Sequence, residues 1–291
     1  MLCTRQMNAQ HLTLEGQTGG FLTPTAYVVY SDKGKTFSHP AVGYHFINTS
    51  AVIGNIQTFS IEEGLANRAE VGYTRSYHTN GNSQLFSSLW NSNGMNIFNG
   101  KVVAIKDGQF RPWVPGLAAG FVVRTGDHFV TGILDGKTYT NEDLYASITK
   151  TWIKPPVPFL INFGWKATNA SIFGIGGQST RFSGRLFGGV GIPLPGPWKT
   201  AIVPSAGFTQ EPATSKNLGA ILYPPGSRAH LPTTLDYAIR VSQKEHPHFA
   251  FDIGIGQVAG QIGTTYITGL GFVPVNLQAR KVLGVGISIR P

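Results

Sequence analysis

Charge is scarce in this chain: Asp, Glu, Lys and Arg make up 13% of its 291 residues, against roughly 25% in an ordinary soluble domain. Something other than charge must cover its surface. Cysteine is nearly absent, and the single Cys3 excludes an internal disulfide and any multi-cysteine metal centre. Long apolar runs are missing as well. Nothing approaches the ~18 consecutive apolar residues of a membrane-spanning helix, and mean hydropathy is −0.01. A transmembrane β-barrel escapes both tests, because its lipid face takes every second residue and averages out against the other face.

Met1 to Gln10 lacks the apolar core of about 7–15 residues that marks a secretion signal, although Asn8-Ala9-Gln10 fits the surroundings of a cleavage site with its upstream part missing. The net charge of +9 raises the question of nucleic acid. The basic residues are dispersed singly, without a Lys/Arg block or regular aromatic interleaving, which argues against that partner.

The chain is rich in glycine and proline, with 37 and 18 residues, a composition that argues against a helical fold. Its dominant pattern is a two-residue alternation. Phe249, Phe251, Ile253 and Ile255 alternate with Ala250, Asp252, Gly254 and Gly256, the signature of a strand whose two faces meet different surroundings. The same alternation predicts strands near 39–50, 53–65, 68–79, 96–107, 116–126, 142–153, 158–170, 180–193, 198–211, 233–245, 248–257 and 279–290. Residues 264–275 are a further strand or a loop hairpin, so the expected number is twelve, within a range of ten to fourteen. Residues 1–36 read as an N-terminal stub and leading segment, with a short strand at Tyr27–Tyr30, and residues 37–291 as the barrel domain.

The connections alternate too. Short ones fall near Ala66-Asn67-Arg68, 108–115, 154–157, 193–197 and 246–248, and long polar ones near 80–95, 127–141, 171–179, 212–232 and 258–277. Short periplasmic turns and long extracellular loops are the asymmetry of an outer-membrane barrel, with both termini at the short-turn end when strands are even in number.

A soluble sandwich would carry abundant Lys and Glu on its polar face. Here that face is Gly, Ala, Ser and Thr with isolated charges, as suits the crowded interior of a modest barrel. The expected inward row is His45, Glu70, Arg124, Lys166, Arg181, Arg185, Asp236, Arg240, Asp252 and Arg290. On the apolar face, Tyr44, Tyr73, Trp152, Trp165, Trp198 and Tyr237 fit membrane-interface girdles.

The run Gly64-Leu65-Ala66-Asn67-Arg68-Ala69-Glu70-Val71-Gly72-Tyr73-Thr74 resembles the strand-turn-strand hairpin of bacterial outer-membrane barrels. Glu15 to Ala26, with Gly19-Gly20 and Pro24-Thr25-Ala26, is similar to the N-terminal motif of an uncharacterised bacterial family known only as a domain of unknown function, and Pro158 to Gly177 resembles that family's middle. The resemblance implies an outer-membrane β-barrel and brings no activity with it. The Ile289-Arg290-Pro291 ending departs from the aromatic last residue of many such barrels.

Catalytic chemistry has one weak candidate. Tyr77-His78-Thr79-Asn80-Gly81-Asn82-Ser83 places a His and a Ser near one strand end, but no orienting partner is visible, and a turn-rich loop tip explains the composition. Gly174-Ile175-Gly176-Gly177 and Gly188-Gly189-Val190-Gly191 lack the strand-loop-helix context of a phosphate site. His246-Pro247-His248 offers too few ligands for a metal, and Glu142-Asp143 reads as a solvated loop.

The expectation is therefore an all-β, antiparallel transmembrane β-barrel in the bacterial outer membrane, without enzyme activity, cofactor or metal. Its partners are the lipid bilayer, the barrel-assembly machinery and small solutes in the lumen. Function divides into a narrow diffusion channel or transporter with a mildly anion-favouring lumen, a closed structural or surface-interaction barrel, and an outer-membrane lipid hydrolase built on His78 and Ser83. If Asp236 and Asp252 meet Arg240 and Arg290 across the interior, the lumen is plugged.

Overall fold

The alternation at Phe249–Gly256 is realised in a strand whose Asp252 is fully buried while Ile253 and Ile255 are exposed. A computed structural model describes residues 11–49, 54–82, 94–126, 139–153, 157–175, 177–212, 219, 222–225, 227–231, 233–243, 248–276 and 281–291. The strands in chain order are β1 (Ala41–Asn48), β2 (Gly54–Leu65), β3 (Ala69–Asn80), β4 (Met95–Ile105), β5 (Gly116–Gly126), β6 (Tyr139–Trp152), β7 (Phe159–Ala170) and β8 (Gln178–Gly191). They continue with β9 (Leu194–Pro195), β10 (Thr200–Gln210), β11 (Thr233–Gln243), β12 (His248–Ala259), β13 (Gln261–Ile267), β14 (Gly271–Asn276) and β15 (Val282–Arg290).

Twelve of these strands form one closed antiparallel ring, in the order β1-β2-β3-β4-β5-β6-β7-β8-β10-β11-β12-β15. The ring closes where β15 pairs with β1, with Tyr44 opposite Ile287 and His45 opposite Gly286. Closure leaves no sheet edge to aggregate. The two-residue β9 lies beside β10 in a short turn. The uncertain stretch near 264–275 is the β13–β14 hairpin, which pairs only with itself within a loop.

Leu65 to Arg68 makes a tight turn at the short-turn end. Ala66 and Asn67 have φ of 52° and 54°, and Arg68 N–H donates to the Leu65 carbonyl at 2.9 Å. Two successive left-handed residues define the turn whose twist matches a hairpin, and Asn tolerates that conformation well.

The outer face is apolar around the ring. Phe59 on β2, Val71 on β3, Phe98 on β4, Leu144 on β6 and Trp165 on β7 all stand exposed. A soluble monomer rarely exposes so continuous an apolar surface. Among the described residues no helix is long and apolar enough to cross a membrane. A closed strand ring satisfies its own backbone, and with an apolar exterior it crosses with its strands, so this face meets lipid.

The inner face differs from the expected small and polar lining. Ile47, Ile56, Met95, Ile97 and Val122, near the long-loop ends of their strands, point inward and are buried. They pack with Leu14, Phe21 and Leu22 of the N-terminal segment and with Phe173 and Ile175 of the β7–β8 connection. The N-terminal segment therefore runs inside the barrel. Tyr27–Tyr30 adopts no strand, because these residues lean on wall side chains instead of a neighbouring ladder.

Glycines on the wall make room for it. A Cβ on Gly64 would sit 1.9 Å from the Val29 carbonyl oxygen, and one on Gly284 would sit 2.6 Å from the Phe21 ring. Gly64→Ala is accordingly expected to destabilise the folded barrel by about 1–3 kcal/mol, the usual range for overpacking. The check is the temperature at which the compact, fast-migrating form converts on a detergent gel. An unchanged transition would remove the close contact from the account.

Candidate functional site

Residues 11–31 form a strap that enters and leaves the lumen at the short-turn end. At one end of the strap, Leu12 N–H donates to Ser288 Oγ at 3.2 Å, two residues from the end of β15. At the other, Ser31 N–H donates to Asn67 Oδ1 at 2.6 Å in the β2–β3 turn. Between them the chain climbs until Glu15 reaches Arg124, close to the long-loop end of β5.

A segment without a sheet must still satisfy its backbone when buried. The strap bonds partly to itself: Thr13 N–H to Gln17 O at 2.7 Å, Gly20 N–H to Thr23 O at 2.8 Å, and Gly19 N–H to His11 O at 3.1 Å. Wall side chains supply the rest. Thr74 Oγ1 and Asn99 Nδ2 donate to the Glu15 carbonyl at 3.0 and 3.2 Å, Asn162 Nδ2 donates to Pro24 O at 2.9 Å, and Ala26 N–H donates to Thr149 Oγ1 at 2.7 Å. Gly16, with φ of 94°, lets the chain turn where a Cβ would meet Thr74 Oγ1 at 2.4 Å.

Three charged clusters lock the strap. In the first, Arg124 donates through Nη2 to both Glu15 Oε2 and Asp143 Oδ2 at 2.8 Å, and Lys166 Nζ lies 3.5 Å from Asp143 Oδ2. In the second, Glu70 Oε1 accepts from Thr18 N–H at 3.0 Å and pairs with Lys101 Nζ at 2.9 Å, and its Oε2 accepts from Thr18 Oγ1 at 2.7 Å and Val29 N–H at 2.9 Å. Lys101 Nζ also donates to the Thr18 and Thr25 carbonyls, both at 2.9 Å. In the third, Asp252 pairs with His11 of the strap and with Arg240 Nε at 2.9 Å and Nη2 at 3.2 Å.

At the short-turn rim, Tyr27 Oη donates to Asp107 Oδ2 at 3.0 Å and lies 2.6 Å from Thr151 Oγ1. Burial raises its pKa above the ordinary phenol value, which keeps the hydroxyl protonated as a donor. The long-loop end is closed separately. Glu211 accepts from Ile172 N–H at 2.7 Å and from Thr234 Oγ1, which holds Phe173 and Ile175 over the strap's Leu22 in one apolar cluster.

Nearly all of the sequence-derived inward row is buried on the inner face: His45, Glu70, Arg124, Lys166, Asp236, Asp252 and Arg290 are buried, and Arg185 and Arg240 half-buried. Arg181 shares their strand parity but is exposed. Of the pairings that would plug the interior, only Asp252 with Arg240 forms; Arg290 donates to the Tyr30 carbonyl, and Asp236 has no ion pair among the described residues. The plug is the strap instead. Glu142-Asp143 is not a solvated loop but part of β6, with Asp143 buried against Arg124. The alternation of Asn141, Asp143, Tyr145 and Ser147 against Leu144, Ala146 and Ile148 carried that signal. Glu15, Glu62 and Lys101 are further buried inward charges that the alternation did not single out.

The six aromatics assigned to the apolar face all lie outward. Tyr44 tilts over Phe59 at 4.8 Å, Tyr73 over Phe98 at 5.3 Å, and Trp152 stacks on Phe159 at 4.6 Å. Trp165 and Tyr237 are exposed on the wall, and Trp198 is exposed in the β8–β10 turn.

For hydrolysis, Ser83 lies outside the described residues, and His78 faces the lumen, 3.2 Å from Ser76 Oγ, rather than the lipid; of the metal candidate, His246 and Pro247 lie outside the described residues. Ser288, His11 and Asp252 do fall in hydroxyl-imidazole-carboxylate order, with Ser288 Oγ 3.2 Å from His11 Nδ1. All three are buried, and Ser288 Oγ already accepts from Leu12 N–H. The row fastens the strap. Among the described residues no group of three or more metal-ligating side chains forms.

No family model and no curated protein matches the chain. Solved structures of similar architecture include the "NanC porin", 11% identical over 87% of this chain and 100% of that one with a TM-score of 0.48. The "KdgM porin in complex with disordered oligogalacturonate" is 8% identical over 86% and 98%, with a TM-score of 0.45. The β domain of the Bordetella autotransporter BrkA is 12% identical over 88% and 99%, with a TM-score of 0.37. A closed antiparallel barrel with an apolar exterior is the architecture of bacterial outer-membrane proteins. The chain is such a barrel, embedded in a bilayer.

Removing one member of a buried ion pair leaves its partner uncompensated, at a cost of about 3–5 kcal/mol. Glu15→Gln is expected to loosen the strap while the wall strands persist. Limited chymotrypsin digestion of the detergent-solubilised protein reads this as faster cleavage near Phe21 in the variant. Equal cleavage rates would show that the Arg124 cluster does not hold the strap.

Proposed function

We propose that the protein is an outer-membrane channel for small solutes whose lumen is closed by its own N-terminal strap. The observation that carries this reading is the strap's manner of attachment. It enters and leaves at one end of the barrel, and its polar half is held by separable ion pairs and hydrogen bonds, so it can withdraw without unthreading. With short turns on the periplasmic side, that end faces the periplasm. The outward aromatics Trp152 and Trp198 then mark the periplasmic interface, with Tyr44, Tyr73, Trp165 and Tyr237 distributed along the lipid face. Insertion by the barrel-assembly machinery accompanies the reading.

The expected anion preference takes a narrower form. Lys101, Arg124, Lys166 and Arg240 are neutralised by Glu70, Glu15, Asp143 and Asp252, so attraction of anions falls to the inward cations with no carboxylate partner among the described residues, Arg181 and Arg185 on β8 and Arg290 on β15. Free cationic side chains at a constriction raise local anion concentration, and paired ones do so far less.

The second reading is a closed structural or surface-interaction barrel, favoured by the continuous apolar cluster toward the long-loop end. Planar-bilayer conductance separates the two. Wild type is expected to stay closed, and the Glu15→Gln/Glu70→Gln double variant to show brief openings while keeping its compact gel mobility. Silence from both proteins would discard the channel and leave the structural barrel.

A further inference from the structure

Between the strap and the wall formed by β7, β8, β10 and β11 lies a cavity of about 90 Å³, bounded by Phe21, Thr25 and Tyr27 on one side and by Gly189, Ser205 and Asp236 on the other. That is space for several waters, or for one compound of a few heavy atoms. A second cavity, of about 20 Å³ beneath Glu15, Asp143 and Lys166, holds a water or two at most.

The larger cavity has one feature that its neighbours do not resolve. Asp236 is 4% exposed, and its Oδ1 has no hydrogen-bond partner among the described residues. The nearest lumen cation on its own strand, Arg240, is committed to Asp252 through Nε and Nη2. Gly207 lies directly across the ladder from Asp236, and a Cβ there would sit 2.5 Å from Asp236 Oδ1. Glycine thus lets the carboxylate lie back over β10 and face the cavity. A buried carboxylate without a partner is costly, and a donor of positive charge relieves that cost most strongly.

The rest of the lining is largely apolar, with Leu160, Val190 and Val203, and Arg240 borders it as well; its other polar groups are mostly hydroxyls. Thr23, Thr25, Thr151 and Ser205 bound the cavity together with Asn162. Several of these groups already bond within the protein: Thr25 Oγ1 to Thr18 O at 3.3 Å, and Ser205 Oγ to Ala238 O at 3.3 Å. Each hydroxyl nevertheless keeps a free lone pair as an acceptor. One carboxylate among hydroxyl acceptors on an otherwise apolar wall, with the bordering Arg240 already held by Asp252, is a lining for a compact ligand that donates from a cationic head and from hydroxyls.

We propose that this cavity is a binding site for a small hydroxylated primary ammonium compound, with Asp236 accepting from the ammonium group. The site uses the closed barrel, since the strap supplies one of its sides, and it does not require that the barrel conduct. It inverts the charge preference of the β8 arginines, so the vestibule beside the strap and the β8 wall select opposite signs.

The test uses the full chain in detergent and two probes of nearly equal shape. The 2-hydroxyethylammonium ion and ethane-1,2-diol, four heavy atoms each, differ in having an ammonium or a second hydroxyl group at one end. Binding is read by saturation-transfer NMR and calorimetry in an amine-free phosphate buffer. Wild type is expected to bind the ammonium probe about tenfold or more tightly than its neutral counterpart, the discrimination a charge-assisted hydrogen bond gives. Asp236→Asn is expected to erase that difference, and Gly207→Ala, by displacing the carboxylate, to reduce it. Equal binding of the two probes by wild type, no binding of either, or discrimination that survives Asp236→Asn would overturn the site. Because the readout is equilibrium binding to the closed protein, silence in a bilayer leaves it standing, and loss of binding leaves conductance untouched.

Discussion

Everything inside this barrel depends on a carboxylate that two passes of the same strap share. Glu70 on β3 receives Thr18, on the returning arm of the bend whose tip is Glu15, and Val29 near the end of the strap, while its Lys101 partner donates to Thr18 and Thr25. Glu70 and Lys101 sit opposite each other in the β3–β4 ladder, so a rigid element of the wall fixes both passes at one level. With Thr18 set there and Leu12 bridged to it, the bend between them is carried toward the long-loop end, where Glu15 meets Arg124 and Leu14 meets the apolar lining. Without that anchor the remaining contacts would act on a floppy loop, and the entropy of ordering some twenty residues would oppose each of them, at roughly 1–2 kcal/mol per residue for the backbone alone.

The same constraint explains the wall. A ring of this size encloses more space than its own inward side chains fill, and water or protein must occupy the remainder. This chain uses its own N-terminal residues, which forces the inner face to be complementary rather than merely polar. Large residues stand where they pack side chain to side chain with the strap's apolar tips, as at Met95 and Ile97. Glycine stands where it comes close, as at Gly43 against Leu12, Gly64 against Val29 and Gly284 against Phe21. The inner row of glycines on β12 and β15 is therefore a mould of the strap and His45, not only a smooth lining for solutes.

Sequence reading captured what depends on period two: twelve strands, their outward faces, the asymmetry of the connections, and charges such as Arg124, Lys166 and Asp252 that lie opposite an apolar row. It missed what depends on tertiary fit. The strap carries Leu12, Leu14, Phe21 and Leu22 in a Gly- and Thr-rich stretch with no repeat, and nothing local separates such a stretch from an exposed lead-in. One clue was available, since residues 11–31 contain no Lys or Arg in a chain of net charge +9. A solvated N-terminal loop has no reason to avoid basic residues. Asp143 was misplaced for a related reason: Glu142-Asp143 resembles a loop when two adjacent acids are read together, whereas in β6 they point to opposite faces.

The strap is not held uniformly, and this asymmetry governs how it can move. Toward the short-turn end its neighbours are Glu70, Lys101, Asp252, Thr149 and Asn162, groups that water can solvate if the strap withdraws. The ion pairs there add little net stability over hydration but demand a single arrangement. Toward the long-loop end Leu14, Phe21 and Leu22 pack against Ile47, Ile56, Val122, Phe173 and Ile175, and at roughly 1.5–3 kcal/mol per fully buried large apolar side chain this layer contributes most of the holding free energy. Withdrawal would leave it as a bare apolar constriction, which excludes water and ions until it is wetted. The barrel is thus closed twice by different physics: a polar latch that sets position, and an apolar layer that stays shut after the latch is released. Passage of a solute requires both to yield, so releasing the charged latch alone would give brief, incomplete openings before the apolar layer repacks.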